Sequence, residues 1–213
     1  NHKLILELPT LKKMKTVAQF NFSGHRAVIR VDFNVPLDKQ TFAVTDDNRL
    51  RAALPTINKI INEGGSVVLM SHLGRPKGGP EDKYSLRHVV QPLSLLLAKP
   101  VQFVNDCIGD SAVQAAKNLK SGEILLVENL RFHPEEEKGD AAFAQELAKL
   151  GDVYVNDAFG TAHRAHASTT IIANYFDAAH KMAGFLLAAE VAAATKVLHQ
   201  HEKPFTAIIG GAK

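Results

Sequence analysis

Arginines lie at or just after the ends of several predicted strands of this chain, and their side chains suit the recognition of anions. If these strands are parallel neighbours, their carboxyl ends meet at one edge of the sheet. Guanidinium groups gathered there without an anion repel one another, so a polyanionic ligand is the economical explanation. Each charge-assisted hydrogen bond to such a ligand contributes about 1.5–3 kcal/mol. The arginines are Arg49, Arg75, Arg131 and Arg164.

An acid and an amide end the first apolar run. Residues 27–36 read AVIRVDFNVP, a β-branched stretch that is followed by Asp32, Asn34 and Pro36. This pattern predicts a buried strand that delivers a carboxylate and an amide at its carboxyl end. Capping a turn is the commonest use of Asp and Asn and is the structural alternative for both residues.

Two later runs are followed by basic residues. SHLGRP follows the apolar run over 66–70 and contains His72 and Arg75. ENLRFH follows the apolar run over 123–127 and contains Arg131. Glycine lets a ligand approach the backbone, and arginine offers a fork of donors that fits phosphate or carboxylate. The alternatives are a solvated turn for Arg75 and an ion pair with the acidic residues 135–137 for Arg131.

The apolar run over 152–155 is followed by NDAFGTAHRAH, which combines small side chains with His163, Arg164 and His166. A metal site would need further Cys, Asp or Glu ligands at suitable spacing, and these histidines have no evident third ligand nearby. The stretch therefore predicts a donor-lined anion pocket and no metal. Loop bracing is an equally good explanation for each histidine alone, and His72 fits a satisfied core or rim position equally well.

The common phosphate-binding motifs are absent. Neither GxxxxGK[ST] nor a GxGxxG after the first strand occurs. The GGAK at 210–213 offers the backbone amides of Gly210 and Gly211 and the ammonium group of Lys213 to a phosphate, but four residues are a weak motif by themselves.

The composition is that of a globular chain. Of the 213 residues 46% are hydrophobic, and the net charge is +3. No apolar run reaches the roughly 18 residues of a membrane helix, and no basic stripe with interleaved aromatics indicates nucleic acid. The single cysteine, Cys107, excludes an internal disulfide and suits a reducing compartment. The apolar part of residues 1–13 is too short for a targeting segment, and the positive charge follows it rather than precedes it. We therefore expect these residues to be an extension.

Apolar runs alternate with helical patterns, which predicts βαβ units and a parallel sheet covered by helices on both faces. Residues 49–63 carry apolar side chains at helical spacing, although Pro55 predicts a kink or a later start. The predicted strands are 27–33, 66–70, 101–104, 123–127, 152–155 and 206–209. The predicted helices are 49–63, 85–99, 110–119, 141–150 and 184–203.

The alternation of short predicted strands and helices changes towards the end of the chain. Residues 184–203 are rich in alanine and predict one long helix, which Pro204 ends. An apolar strand over 206–209 and a glycine pair follow, and such a unit normally leads into a helix. We expect the chain to be cut just inside a second lobe, with the long helix as the connector.

Together these motifs resemble the phosphoglycerate kinase family. RVDFNVPL, SHLGRP, ENLRFHPEEE, VNDAFGTAHRAHAS and GGAK occur in the family's order and approximate spacing, from about Met14 to Lys213. The resemblance implies a three-layer α/β/α, Rossmann-like lobe with a mainly parallel sheet over 14–183. It further implies an interdomain helix over 184–203 and the truncated start of a second α/β, nucleotide-binding lobe over 204–213.

The resemblance also implies a reaction, reversible phosphoryl transfer between MgATP and the carboxyl group of 3-phosphoglycerate in glycolysis, giving 1,3-bisphosphoglycerate and ADP. The implied catalytic residues are Arg49 and Lys213. Gly210, Gly211 and Lys213 belong to the nucleotide side, and Mg²⁺ is held mainly by parts of the family's second lobe beyond Lys213. The implied substrate-binding residues are Asp32, Phe33, Asn34, Arg49, His72, Leu73, Gly74, Arg75, Arg131 and Arg164, with His163 in a supporting role.

We expect the complete enzyme to be a cytoplasmic monomer that binds neither nucleic acid nor membranes. Because most of the implied nucleotide lobe lies outside this chain, we expect the chain alone to bind the acid substrate without catalysing the reaction. A non-catalytic anion-binding module is the alternative. A nucleic-acid binder would lose affinity for duplex DNA steeply with salt, and the sequence disfavours it.

Overall fold

The computed structural model describes residues 14–77, 79–162, 164–199 and Thr206. The extension predicted over 1–13 lies outside the described residues, and so does all but Thr206 of the strand predicted over 206–209. The same holds for the end of the helix predicted over 184–203 and for four predicted site residues: His163, Gly210, Gly211 and Lys213. Among the described residues, no helix is long and apolar enough to cross a membrane.

The described chain is built on one sheet of six parallel strands, in the order β3-β4-β2-β1-β5-β6. β1 lies near the middle, where Ile29 pairs with Leu69 of β2 and Val155 of β5. A strand buried on both faces needs apolar side chains on both, which explains the apolar residues 27–29 at its centre. The strands are β1 (Arg26–Arg30), β2 (Ser66–Met70), β3 (Val101–Val104), β4 (Ile124–Val127), β5 (Val153–Asn156) and β6 (Lys181–Ala183).

Helices cover both faces of the sheet and enclose two apolar cores. Val28 and Ile29 of β1 point to opposite faces, as successive strand residues must. Ile29 belongs to the core beneath α1 and α2, and Val28 to the core beneath α3 and α5. The expected three-layer α/β/α arrangement is confirmed. The helices are α1 (Asn48–Asn62), α2 (Arg87–Leu97), α3 (Gly109–Lys117), α4 (Glu135–Lys138), α5 (Ala141–Ala148) and α6 (Phe185–His199).

The helix α1 begins one residue before the predicted start, and Pro55 lies in its interior. The expectation of a later start is therefore wrong. The Asn48 N–H donates to the Asp46 carboxylate at 2.8 Å, and the Arg51 N–H donates to the Asp47 carbonyl at 3.0 Å, so the first turn is complete before the proline. At the other end Gly64 adopts a φ of +88°, a conformation that glycine accommodates and that ends the helix as predicted.

Two short elements were not predicted from the sequence. β6 has only three residues and completes the edge of the sheet beside β5. α4 is a single turn within the acidic run after β4. Neither is long enough to show a hydrophobic period.

The order of the strands opens a crevice at the carboxyl ends of β1 and β5. The chain leaves β1 towards the face covered by α1, where Leu50 packs. It leaves β5 towards the opposite face, where Ile172 packs. Neighbouring strands whose connections diverge in this way leave room for a ligand between them.

Candidate anion-binding site

A polar cleft of about 280 Å³ lies over the carboxyl ends of β1, β2, β4 and β5. Four segments that follow these strands supply its walls, and the start of α1 supplies Arg49. The lining residues are Asp32, Asn34, Arg49, His72, Gly74, Arg75, Gly160, Thr161, Arg131 and Arg164. The four arginines that the sequence singled out therefore line one cavity.

Asp32 and Arg49 form an ion pair at the mouth of the cleft. Arg49 Nη1 donates to Asp32 Oδ2 at 2.5 Å, with the carboxylate mostly covered and half of the arginine side chain exposed. The Asn34 N–H donates to the other oxygen of Asp32 at 3.2 Å, so the carboxylate also stabilises the local turn. Asp32 can therefore stabilise this turn and still face a ligand in the cleft.

The second wall of the cleft is tied to the first through Gly74. The Gly74 N–H donates to Asn34 Oδ1 at 2.8 Å. Gly74 has a φ of +63°, and a Cβ there would lie 2.4 Å from the ring of Tyr84. Glycine is thus required for both its conformation and its lack of a side chain.

Arg131 spans the cleft and an acidic neighbour. Its Nη1 donates to the Gly74 carbonyl at 2.9 Å, and its Nη2 lies 3.1 Å from a Glu137 carboxylate oxygen. The side chain is only 8% exposed, so these contacts fix its direction. The sequence offered an acidic pairing as an alternative to a cleft position, and the structure contains both.

Buried polar residues hold the turn that carries Arg131. Asn129 accepts from the Leu73 N–H at 3.2 Å and from the Arg131 N–H at 3.0 Å, and its amide donates to the Leu73 carbonyl at 2.7 Å. Glu128 accepts from the hydroxyl of Ser85 at 2.6 Å. These bonds join the segments after β2 and β4, so two walls of the cleft are held together.

His72 is held beneath the cleft as a neutral ring. Burial first, and then the charges of Arg30 and Arg131, lower the pKa of His72 to about 2. Arg30 Nη2 lies 3.1 Å from His72 Nδ1. Because arginine only donates, Nδ1 accepts and the single ring proton lies on Nε2. His72 therefore offers a neutral donor rather than a positive charge.

A buried network, absent from the sequence-based prediction, orients Arg30. Arg30 Nε donates to the hydroxyl of Ser168 at 2.8 Å, and that hydroxyl donates to Glu136 at 2.5 Å. The Ser168 N–H donates to the other oxygen of Glu136 at 2.9 Å. Arg30, Ser168 and Glu136 are all nearly or completely buried. The only sequence signal was an arginine inside an otherwise apolar strand.

The segment after β5 closes the cleft. Gly160 passes so close to Asp32 that a Cβ would lie 3.3 Å from its carboxylate. The Arg164 N–H donates to the Thr161 carbonyl at 3.1 Å, and the Arg164 carbonyl accepts from the Thr169 hydroxyl at 2.9 Å. His166 is buried, and burial lowers its pKa. Its backbone carbonyl accepts from backbone N–H groups that follow, so the main chain holds the loop at this position.

Phe33 and Leu73 lie under the cleft rather than on its lining. Phe33 is fully buried, and its N–H donates to the Ser71 hydroxyl at 2.8 Å. The Leu73 N–H is likewise used by Asn129. Both backbone N–H groups are therefore committed to shaping the walls of the cleft.

The start of α6 is joined to the segment after β5 and to α1. The Leu187 N–H donates to Asp157 Oδ1 at 3.1 Å, and the Phe185 N–H donates to the Thr56 hydroxyl at 2.9 Å. Burial raises the pKa of Asp157. A smaller cavity, lined by Arg49, Phe159 and Glu190 among others, lies between the cleft mouth and α6.

The geometry suits an anion with several oxygens. The cleft gathers four guanidinium groups and a neutral imidazole donor around one carboxylate that is already paired. A magnesium ion prefers several oxygen ligands and would meet repulsion here. The donor set therefore fits phosphate and carboxylate groups and does not fit a resident divalent cation.

Comparison with known proteins bears on the identity of this cleft. The family model described as phosphoglycerate kinase matches residues 17–213. The chain belongs to the phosphoglycerate kinase family. The protein named phosphoglycerate kinase from Porphyromonas gingivalis is 53% identical over 222 residues, which cover 93% of this chain and 52% of the relative. A chloroplastic phosphoglycerate kinase of Volvox carteri is 52% identical, with 95% of this chain and 43% of the relative covered.

Solved phosphoglycerate kinase structures share the fold. The structure from Coxiella burnetii has a TM-score of 0.79 at 38% identity and covers 90% of this chain and 46% of that protein. The structure from Pyrococcus horikoshii has a TM-score of 0.80 at 34% identity, with 90% and 47% covered. The chain spans about half the length of the phosphoglycerate kinases that it matches.

Proposed function

We propose that this chain binds 3-phosphoglycerate as the acid-binding part of a phosphoglycerate kinase. The complete protein would transfer a phosphoryl group reversibly between MgATP and the carboxyl group of that acid. The observation that carries the proposal is the cleft itself, in which the four arginines, His72, Asp32 and Asn34 converge. Membership of the family supports the choice of substrate.

The two ends of the acid would meet different parts of the cleft. In our proposal Asp32 and Asn34 hold the hydroxyl and carboxyl end, with Asp32 accepting from the substrate hydroxyl. The phosphate is held by Arg75, Arg131 and Arg164, together with the Nε2–H of His72. Arg49 turns from Asp32 towards the carboxylate that accepts the phosphoryl group. Phe33, Leu73 and Gly74 support this arrangement through the backbone, and His163 has a supporting role.

No dedicated general base is needed for this chemistry. The acceptor carboxylate is ionised at neutral pH and is itself the nucleophile. Phosphoryl transfer depends mainly on positioning and on neutralising the charge of the transferring group. His72 has a pKa of about 2 and a single ring proton, on Nε2, which suits a hydrogen-bond donor and not a proton acceptor.

In our proposal the last residues of the chain supply the nucleotide side. We assign the acid-binding lobe to 14–183, the connector helix to 184–203 and the start of a nucleotide-binding lobe to 204–213. Gly210, Gly211 and Lys213 would then contact the nucleotide phosphates, and Arg49 and Lys213 would neutralise the transferring group. Magnesium enters with the nucleotide as MgATP. Closure of two lobes would exclude water from the reaction.

The setting of the complete enzyme belongs to the same proposal. We place it in the cytoplasm as a monomer, although one relative is named chloroplastic. One cysteine in 213 residues fits a reducing compartment.

Calorimetric titration with 3-phosphoglycerate tests the substrate assignment. We expect saturable one-to-one binding, and a loss of about 10- to 150-fold in affinity for Arg75→Ala, since one charge-assisted bond contributes about 1.5–3 kcal/mol. Arg87→Ala removes an exposed arginine outside the cleft and is the matched control. An Arg75→Ala variant that binds as tightly as the parent chain would contradict the proposed site.

Phosphoryl transfer is tested with a protein of full length. A protein that joins this chain to the remaining half of a relative's length should convert 3-phosphoglycerate and MgATP to 1,3-bisphosphoglycerate and MgADP. Tight binding of the acid with no transfer by such a folded protein would instead favour a non-catalytic anion-binding module.

A further inference from the structure

A second group of chemically active side chains lies at the other end of the same sheet edge. Asp106 and Cys107 follow β3, and His133 ends the turn that follows β4. β3 and β4 are parallel neighbours, so the segments after them converge. One ligand atom from each of the three residues lies within 4.8 Å of the others. This group is separate from the lining of the anion cleft.

We propose that Asp106, Cys107 and His133 bind a zinc-type divalent cation. The donor set is one thiolate, one imidazole and one carboxylate. Thiolate and imidazole select borderline-soft ions such as Zn²⁺, whereas Mg²⁺ and Ca²⁺ prefer sites made of oxygen. Three protein ligands with a water in the fourth position is a known zinc arrangement. The inference does not depend on the proposed kinase function.

The spacing requires only a small rearrangement. Zinc bond lengths of about 2.0–2.3 Å place tetrahedral ligand atoms about 3.3–3.8 Å from one another. The His133 Nε2 already lies 2.8 Å from Asp106 Oδ1, and the thiol lies within 4.8 Å of both. An ion would take the place of the Asp106–His133 hydrogen bond, widen that pair by about 0.5 Å and draw the sulfur inward by no more than about 1 Å.

The ligands are oriented before any ion arrives. The Cys107 N–H donates to Asp106 Oδ1 at 2.6 Å, which fixes the carboxylate against the start of α3. The ring of His133 packs on Phe143, with ring centroids 5.2 Å apart. Such fixed orientation reduces the entropy that is lost when the ligands close on a metal.

The group is open to solvent from one side. The side chains of His133 and Asp106 are 27% and 49% exposed, whereas Cys107 is fully buried beneath them. An ion can therefore enter past the imidazole and the carboxylate and meet the sulfur last. Binding breaks the S–H bond, releases the proton to solvent and forms the metal–sulfur bond, so no oxidant or reductant is required.

Cobalt titration of the reduced chain tests the proposal. Co²⁺ substitutes for Zn²⁺, and coordination by a thiolate produces a near-ultraviolet charge-transfer band. Cys107 is the single cysteine of the chain, so this band can arise from that residue alone. We expect a band that saturates at one ion per chain and that an equivalent of Zn²⁺ abolishes.

Variants separate a three-ligand site from a lone thiol. We expect Cys107→Ser to abolish the band, and His133→Gln and Asp106→Asn each to weaken Co²⁺ binding about tenfold or more, since even outer-shell changes cost about 10- to 100-fold. His180→Gln is the matched control, because His180 pairs with Asp177 at 2.9 Å and precedes β6, at the opposite edge of the sheet from β3.

Two results would overturn the proposal. One is the absence of a thiolate band at any Co²⁺ concentration at which the parent chain remains folded by circular dichroism. The other is a band of equal affinity in the parent, His133→Gln and Asp106→Asn, because it would show a single adventitious thiolate. Both results are read on folded protein, so they do not depend on the folding of Cys107→Ser.

Discussion

The floor and the rim of the anion cleft are built from the same residue types but are held in opposite ways. In the floor, Arg30 is 1% exposed and Glu136 is completely buried, and both are hydrogen-bonded to Ser168. On the rim, Arg75 is exposed and Arg49 is half exposed with one carboxylate partner. Folding fixes the floor, because a buried charge must keep its partners. The rim can exchange its partners for a ligand.

The largest effect should follow from breaking the floor. Glu136→Ala leaves the buried Arg30 without its counter-charge and leaves the Ser168 donors without an acceptor. We expect the free energy of unfolding to fall by about 3–5 kcal/mol. Urea denaturation measures this change, and Glu135→Ala, one residue earlier in the same run, is the control. A loss below about 1 kcal/mol would show that the floor is not the rigid layer.

A smaller loss of stability should follow from filling the space at Gly74. Gly74→Ala forces a non-glycine residue to a φ of +63° and places its Cβ against Tyr84. The left-handed conformation alone costs about 1–2 kcal/mol. Thermal and urea unfolding measure it, and adding Tyr84→Ala should remove the clash while leaving the conformational cost. A double variant as stable as Tyr84→Ala alone would refute the conformational part.

These two layers were not equally predictable from the sequence. Asp32, Asn34, Arg75, Arg131 and Arg164 could be predicted because each lies in a segment that follows a predicted strand, and strand ends meet at one edge. Arg49 lies instead at the start of α1. Glu136 could not be predicted, because one acid in a run of three looks solvated, and only its contact with Ser168 distinguishes it. The Asp106–Cys107–His133 group was missed because 26 residues separate Cys107 from His133, and the three residues match no spacing motif.

The pH dependence of stability should reveal the neutral state of His72. Its folded pKa is about 2, below the ordinary value of 6.5. The unfolded chain therefore binds one proton more as the pH falls below about 6.5, and stability decreases with falling pH. This residue contributes up to about 1.4 kcal/mol per pH unit. His72→Gln should remove that slope between pH 6 and pH 4.5 in urea titrations; an unchanged slope would contradict a neutral His72.

The smallest effect on folding should come from the rim. Arg75→Ala should change the free energy of unfolding by less than about 0.5 kcal/mol, since the side chain is an exposed surface group. Sulfate should nevertheless raise the melting temperature of the parent chain by binding the folded cleft, and raise that of the variant less. Sodium chloride at matched ionic strength is the control. An equal sulfate response in both chains would place the anion elsewhere.

Nitrogen-15 NMR of the histidine side chains, recorded while 3-phosphoglycerate is added, would show directly whether the cleft presents a neutral His72 to its substrate. We predict that His72 is neutral with its proton on Nε2 across pH 5–8, and that the acid shifts its Nε2–H signal while leaving His180 unchanged. A His72 that titrates near its ordinary pKa, or that does not respond to saturating 3-phosphoglycerate, would contradict a cleft whose buried floor presents this donor to the substrate.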